Sequence, residues 1–153
     1  MDKIISANMK KALSDADIRN TKKCPIYMYK ELRSRKLSEL GEYFIVLIPT
    51  KSDYNGHWIS CIRRKNIVEY YDPYGYTIDH LVKGKKYLSR LLCKAGVTVI
   101  CNKTKLQGNS NCCGRYALIR ILMRHKNLAD FMDLFYNQPL SPDEIVTYLT
   151  MYI

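Results

Sequence analysis

Residues Tyr43 to Ile48 read Y-F-I-V-L-I, a continuous apolar run closed by Pro49, which is the pattern of a strand buried on both faces. After a polar loop containing Asp53, Asn55 and Gly56 come H-W-I-S-C-I, the charged turn Arg63 to Asn66, and I-V-E-Y-Y-D-P-Y-G. Two β-rich runs around a charged turn predict an antiparallel hairpin, whose second strand ends at Pro73 and Gly75, just past Asp72. Val97 to Cys101 (V-T-V-I-C) predicts a further short strand. Helical patterns occupy most of the remainder. Residues 8 to 20 place Leu13 and Ile18 beside polar neighbours, with Ser14, Asp15 and Asp17 as a helix start. Ile26 to Leu40 carries Leu32, Leu37 and Leu40 among basic residues at irregular helical spacing, and Gly41 is placed to end it. Residues 77 to 94 hold Ile78, Leu81, Val82, Leu88, Leu91 and Leu92 at helical spacing, with Gly84 as a weak point and Gly96 as a stop. Tyr116 to Arg124 predicts a buried helix that starts near Asn111, and Leu128 to Tyr136 another. Ser141-Pro142-Asp143-Glu144 is a capping box with proline at the first helical position, so a last helix is expected there.

Length and composition narrow this picture. At 153 residues the chain is one domain, 1–153, able to bury roughly two-thirds of the surface of its unfolded form. It has no internal repeat, low-complexity segment or linker that would split it. Met1 to Lys11 lacks the apolar core of a secretory leader and no run reaches membrane-span length, so an intracellular, reducing location off the membrane is expected. The six cysteines are then free thiols, and Cys24, Cys61, Cys93 and Cys101, in apolar contexts, read as buried ones. No C-x-x-C pair occurs and His57, His80 and His125 are scattered, so no metal site is expected. The net charge of +11 is spread along the chain, a field that favours anionic partners such as nucleic acid or acidic protein surfaces. The thirteen tyrosines sit mostly in apolar runs, where packing is the better reading than base stacking.

The candidate chemistry lies in Gln107 to Leu118, Q-G-N-S-N-C-C-G-R-Y-A-L. Two cysteines at a helix entrance qualify as nucleophiles, because the helix dipole and unpaired backbone N–H groups favour the thiolate. Cys112 and Cys113 are about 100° apart around a helix, so only one can face a given base. His57, at a strand beginning beside a glycine turn, is the candidate base. His125 would lie roughly 18 Å along the helix axis from Cys113, and His80 falls at the front of another helix in an exposed or packing role. A hairpin turning near residues 64 to 66 brings positions 57 and 72 to the same open end, where Asp72 can fix the imidazole tautomer and stabilise its protonated form. A D-P turn initiator is the simpler role for Asp72, and the two are compatible; Glu69 alternates differently and is expected to face solvent. Gln107, six residues ahead of Cys113, is by itself only a loop glutamine, although a glutamine side chain is a common oxyanion donor.

The order Gly56-His57-Trp58, Tyr71-Asp72-Pro73-Tyr74-Gly75, then Gln107-x5-Cys113-Gly114 resembles the cysteine peptidases of clan CE. That group holds the adenovirus maturation protease, the SUMO and NEDD8 deconjugating proteases, and related proteases of virophages and large DNA viruses. The resemblance covers about residues 40 to 125, and its specificity lies in the ordered set: papain-like enzymes run Cys, His, Asn, whereas this chain runs His, Asp, Cys. It implies an α+β fold in which a small mixed β-sheet packs against a central helix bearing the nucleophile, related to the papain-like folds. It implies His57 as general base, Asp72 as orienting acid, Gln107 as oxyanion donor and Cys113 as nucleophile, with Trp58 shielding the imidazole. Gly114 after the nucleophile leaves room for a substrate backbone, which favours Cys113 over Cys112. The expected activity is a cysteine endopeptidase cleaving capsid or core precursors at glycine-containing sites during virion maturation, in the virion and in the host cytoplasm or virus factory. It needs no cofactor, although the adenovirus enzyme is helped by DNA and a peptide, so either is a candidate activator; a monomer with a protein substrate is expected. The alternatives are a deconjugase for a ubiquitin-like modifier, an acetyltransferase relative, and a non-catalytic basic module that binds nucleic acid or capsid.

Overall fold

The computed structural model describes residues 3–11, 17, 24–50 and 56–151. Among these, five strands form one sheet in the order β1 to β5: β1 Ile26–Met28, β2 Tyr43–Pro49, β3 Gly56–Arg64, β4 Ile67–Tyr71 and β5 Thr98–Cys101. The pairings are parallel at both edges (β1 with β2, β4 with β5) and antiparallel in the middle. The sheet is therefore mixed, as the family resemblance implied. The β3–β4 hairpin turns tightly at Lys65, which takes a left-handed φ of 53°, and its register aligns Ser60 with Tyr71.

The helices are α1 Lys3–Lys10, α2 Tyr87–Ala95, α3 Cys113–Leu122, α4 Leu128–Asp133 and α5 Pro142–Thr150. Strand alternation explains how the sheet is covered. One face, with Phe44, Val46, Ile59, Cys61, Val68 and Tyr70, packs on Leu32, Leu37, Leu40 and the α2 residues Leu88, Leu91 and Leu92. The other, with Ile45, Trp58 and Ile62, packs on Ala117, Leu118 and Ile121 of α3. A third cluster lies beyond α3, where Tyr116 and Ile119 meet Phe131 of α4, Phe135 in the turn after it and Val146 of α5. With apolar neighbours on both sides, α3 is central: eight consecutive residues from Gly114 to Ile121 are buried.

Three expectations need correction. Ile26 to Leu40 is not an irregular helix but strand β1 followed by two 3₁₀ segments, Tyr29–Ser34 and Leu37–Glu39. Its leucines are still core residues, because tight turns with threefold spacing bury them as well as an α-helix would. Only the last part of residues 77 to 94 is helical. Left-handed φ values at Asp79 (63°) and Gly84 (75°) break the earlier half, and Asp79 instead accepts hydrogen bonds from the Tyr29 hydroxyl and the Ser89 N–H. The helix expected over 8 to 20 falls mostly outside the described residues, Leu13, Ser14, Asp15 and Ile18 included, as do Asp53 and Asn55; α1 overlaps its start and Asp17 is helical. Cys93 is exposed and Cys101 half-buried, so of the four cysteines expected to be buried only Cys24 and Cys61 are. Elsewhere the signals hold: Gly96 ends α2 at φ 65°, and the Ser141 side chain accepts from the Glu144 N–H at the start of α5.

Candidate active site

The open end of the β3–β4 hairpin meets the N-terminus of α3, and the predicted residues collect there. His57 is the second residue of β3 and Asp72 follows β4 directly. His57 Nε2 lies 2.9 Å from Asp72 Oδ1, with both side chains almost fully buried. The carboxylate is itself fixed: Oδ1 accepts from the Tyr74 N–H at 2.7 Å and Oδ2 from the Tyr70 hydroxyl at 3.4 Å. With Nε2 occupied, Nδ1 is the ring nitrogen left for a thiol. Cys113, the first residue of α3, is half-buried, and its Sγ donates to the Gly56 carbonyl at 3.7 Å. Burial pushes the His57 pKa down, but hydrogen bonds to Asp72 and Cys113, with the charges of both, outweigh it and raise the value to about 9. A thiol beside such an imidazole can pass over its proton, giving a nucleophile paired with an acid able to protonate a leaving group.

Gly56 has a steric reason to precede His57. A Cβ there would run into Leu47 Cδ1 and lie 3.2 Å from the Ile48 carbonyl oxygen, so any larger residue would require Leu47 and the neighbouring backbone to shift where the site begins.

Cys112 has entirely different surroundings. Its Sγ is buried, 3.7 Å from the Met9 carbonyl at the end of α1 and 3.4 Å from Thr147 Oγ1 in α5. Burial pushes its pKa up, against partial relief from Ser110 and Thr147. Of the two thiols, the structure brings Cys113 to His57.

Gln107 lies in the loop before α3 and is buried. The Leu106 and Gln107 N–H groups both donate to the Pro73 carbonyl, at 2.9 and 3.1 Å, tying this loop to the residue after Asp72. Its Nε2 donates to the Ser110 carbonyl at 2.7 Å, which leaves one hydrogen of that amide for another acceptor. Its Oε1 is buried with no hydrogen-bond partner among the described residues. Gly114 is buried in the first turn of α3.

Trp58 does not shield the imidazole. Next to His57 on a pleated strand, it points to the opposite face and packs under α3 with Ile45, Ile62, Ala117 and Leu118. The rings beside His57 are Tyr74, 5.2 Å between centroids, and Tyr76 at 6.2 Å, and His80 stacks on Tyr76 at 4.6 Å. Glu69 is not solvent-facing either: it is buried and accepts from Arg120 Nε and Nη2 at 2.6 and 2.9 Å. Because α3 covers that face of the hairpin, a strand residue that would otherwise meet water meets a buried arginine instead.

Sequence reasoning missed Asn102. Buried just past β5, it makes a two-way clamp on the Asp72 backbone, accepting from its N–H at 2.9 Å and donating to its carbonyl at 2.6 Å. The only prior signal was its place at the end of a predicted strand. No group of three or more metal-ligating side chains that could hold an ion occurs among the described residues.

The fold is similar to that of a solved protease structure. The ASFV pS273R protease matches over 94% of this chain with a TM-score of 0.53 at 18% identity. This chain spans 64% of that protein's length. In sequence, no family model matches. Uncharacterized protein V9 of Sputnik virophage is 30% identical over an alignment of 168 residues that covers 93% of this chain and 95% of the relative. The chain belongs to the same family as that virophage protein.

Proposed function

We propose that this protein is a viral cysteine endopeptidase of the clan CE type, cleaving capsid or core precursor proteins during virion maturation. The observation that carries the proposal is the buried His57–Asp72 pair at 2.9 Å beside Cys113 at the start of α3. The protease fold and the virophage relative support the viral setting. In this reading the Cys113 thiolate attacks a peptide carbonyl, forming the C–S bond while Gln107 donates to the oxyanion. Collapse of the tetrahedral adduct expels the amine, which takes its proton from the His57 imidazolium. Water, deprotonated by neutral His57, then attacks the acyl-enzyme and releases the acid and the Cys113 thiol, with Asp72 holding the ring throughout. No step calls for a metal or organic cofactor. Substrates with glycine near the scissile bond are proposed, as are action as a monomer and a location in the virion and the host cytoplasm or virus factory. Among the described residues no helix is long and apolar enough to cross a membrane.

The test is mass spectrometry of virion or lysate proteins after addition of the protein and of its Cys113→Ala form. New termini that depend on Cys113 and recur at glycine-containing sites are expected. Their absence, with labelling of the protein by probes derived from ubiquitin-like modifiers, would shift the reading to a deconjugase.

A second observation favours contact with nucleic acid. A cavity of about 230 Å³ between the first 3₁₀ segment and α2 is lined by Arg33, Arg35, Arg90 and Lys94 over Leu32, Tyr87 and Leu91. Convergent cations on a protein of charge +11 suit phosphates, whether nucleic acid serves as a site of action or as an activator. Affinity for DNA that falls steeply with salt is expected, and no binding at low salt would remove this partner.

A further inference from the structure

Asp143 is the second residue of α5, far in sequence from every group assigned so far, yet it is buried against the site. Its carboxylate takes the Gly108 N–H between both oxygens, at 3.0 and 3.1 Å, and Oδ1 also accepts the Tyr116 hydroxyl at 2.7 Å. Gly108 is the residue after Gln107, and Tyr116 lies one turn along the helix that Cys113 begins. A Cβ at position 108 would meet Asp143 Oδ2 at 3.0 Å, so glycine gives this carboxylate close access to the loop backbone. The loop is thus pinned from two sides. The Pro73 carbonyl, holding the Leu106 and Gln107 N–H groups, fixes it to the His57–Asp72 end of the hairpin. Asp143, holding Gly108 and Tyr116, fixes it to the nucleophile helix.

We propose that Asp143 is a positioning residue for the oxyanion donor: it sets Gln107 against Cys113 by locking the Gly108 backbone to α3 and α5. The proposal rests on the peptidase reading. A carboxylate is suited to the task because charge-assisted hydrogen bonds to an N–H and a hydroxyl are shorter and stronger than neutral ones. Removing this buried acceptor also leaves the Gly108 N–H without its partner and the Tyr116 hydroxyl with only the Leu106 carbonyl, 3.5 Å away. A displacement of about 1 Å in an oxyanion donor is enough to cost on the order of 10²-fold in rate. Among the described residues the hydrogen bonds of Asp143 go to Gly108 and Tyr116 and not to His57 or Cys113, so formation of the thiolate is expected to be independent of it.

Two readouts separate that role from general support. Alkylation of Cys113 by iodoacetamide needs the thiolate but no oxyanion, whereas turnover of the p-nitrophenyl ester of N-acetylglycylglycine needs both. Asp143→Ala is expected to lower kcat for the ester about 10- to 100-fold with KM within about twofold, while the Cys113 alkylation rate stays within about twofold of the parent. Asp143→Asn, which keeps an acceptor for the Gly108 N–H, is expected to recover most of the turnover. Added to Gln107→Ala, Asp143→Ala is expected to cost little more, because its effect runs through that side chain. Equal losses of alkylation and turnover, or undiminished turnover, would overturn the proposal. A parent protein whose Cys113 alkylates no faster than a free thiol would overturn the peptidase reading beneath it.

Discussion

Cys112 and Cys113 are consecutive in the chain and sit in opposite environments. Cys113 stands at the open end of the hairpin, half-buried, beside an imidazole whose pKa is raised to about 9. Cys112 is sealed between α1, α5 and α3, where burial pushes its pKa up and Thr147 and the Met9 carbonyl are its polar neighbours. A helix rotation of about 100° per residue is enough to separate them. Helix entry alone therefore does not make a cysteine reactive. The dipole and free N–H groups of α3 are shared by both residues; a charge partner and access to solvent are available to one. The difference is sharpest on deletion. Cys113→Ala is expected to lower peptide hydrolysis by on the order of 10⁵- to 10⁶-fold, since the nucleophile is lost outright. Cys112→Ala is expected to keep most activity and to show a loss of stability, as a buried side chain is shortened. Peptidase assays of the two variants decide it, and retained activity in Cys113→Ala would transfer the role to Cys112.

How much of this was legible in the sequence varies by element. The hairpin was readable because alternation, a charged turn and the D-P-Y-G stop are local signals, and a hairpin places residues 57 and 72 by arithmetic. Cys113 was favoured over Cys112 only through the glycine after it, a family pattern with a steric rationale, because nothing in the sequence shows that one thiol is sealed by α1 and α5 and the other is not. Residues 26 to 40 were misread because 3₁₀ turns bury leucines at nearly helical spacing, and residues 77 to 86 because left-handed Asp79 leaves no trace in hydrophobic pattern. Glu69 was misread because its partner, Arg120, lies 51 positions away on a helix that covers an otherwise wet face. Asn102 and Asp143 escaped notice for the same reason. Asn102 acts on backbone groups, and Asp143 on a backbone N–H and the Tyr116 hydroxyl, all brought near by the fold, and no residue spacing announces that.

Asn102 offers a way to narrow the gap between the two thiols without touching either. Its clamp holds the Asp72 backbone, Asp72 holds His57, and His57 gives Cys113 its advantage. Loss of the orienting acid in a related triad costs about 10⁴-fold. Asn102→Ala leaves the carboxylate in place and loosens it, so a smaller loss, about 10-fold in kcat, is expected with little change in KM. The Cys113 alkylation rate should fall in the same variant while labelling of Cys112 in the folded protein stays negligible. That pattern distinguishes it from Asp143→Ala, which is expected to spare alkylation. An Asn102→Ala protein with unchanged alkylation would show that Asp72 is held adequately by Tyr70 and Tyr74 alone.

The smallest effect is expected from pH, and its sign follows from His57. The raised pKa means that the folded protein holds the imidazolium proton through neutrality, up to about 9. In the proposed mechanism the acid for the leaving amine is therefore available at pH 7 and lost as pH rises through about 9. kcat/KM for a peptide substrate should show an alkaline limb near 9, falling toward tenfold per pH unit above it. Stability should move the same way: the contribution of the His57 interactions is fully present below the unfolded value of 6.5 and disappears as pH climbs through about 9. Asp72→Asn removes the main partner that raises the value, so its limb should move toward neutrality. Cys112, whose thiol has no imidazole beside it, should contribute nothing to this limb, and Cys112→Ala should keep the parent profile. An alkaline limb that stays at 9 in Asp72→Asn would show that the Cys113 thiolate, not the carboxylate, holds the proton on His57.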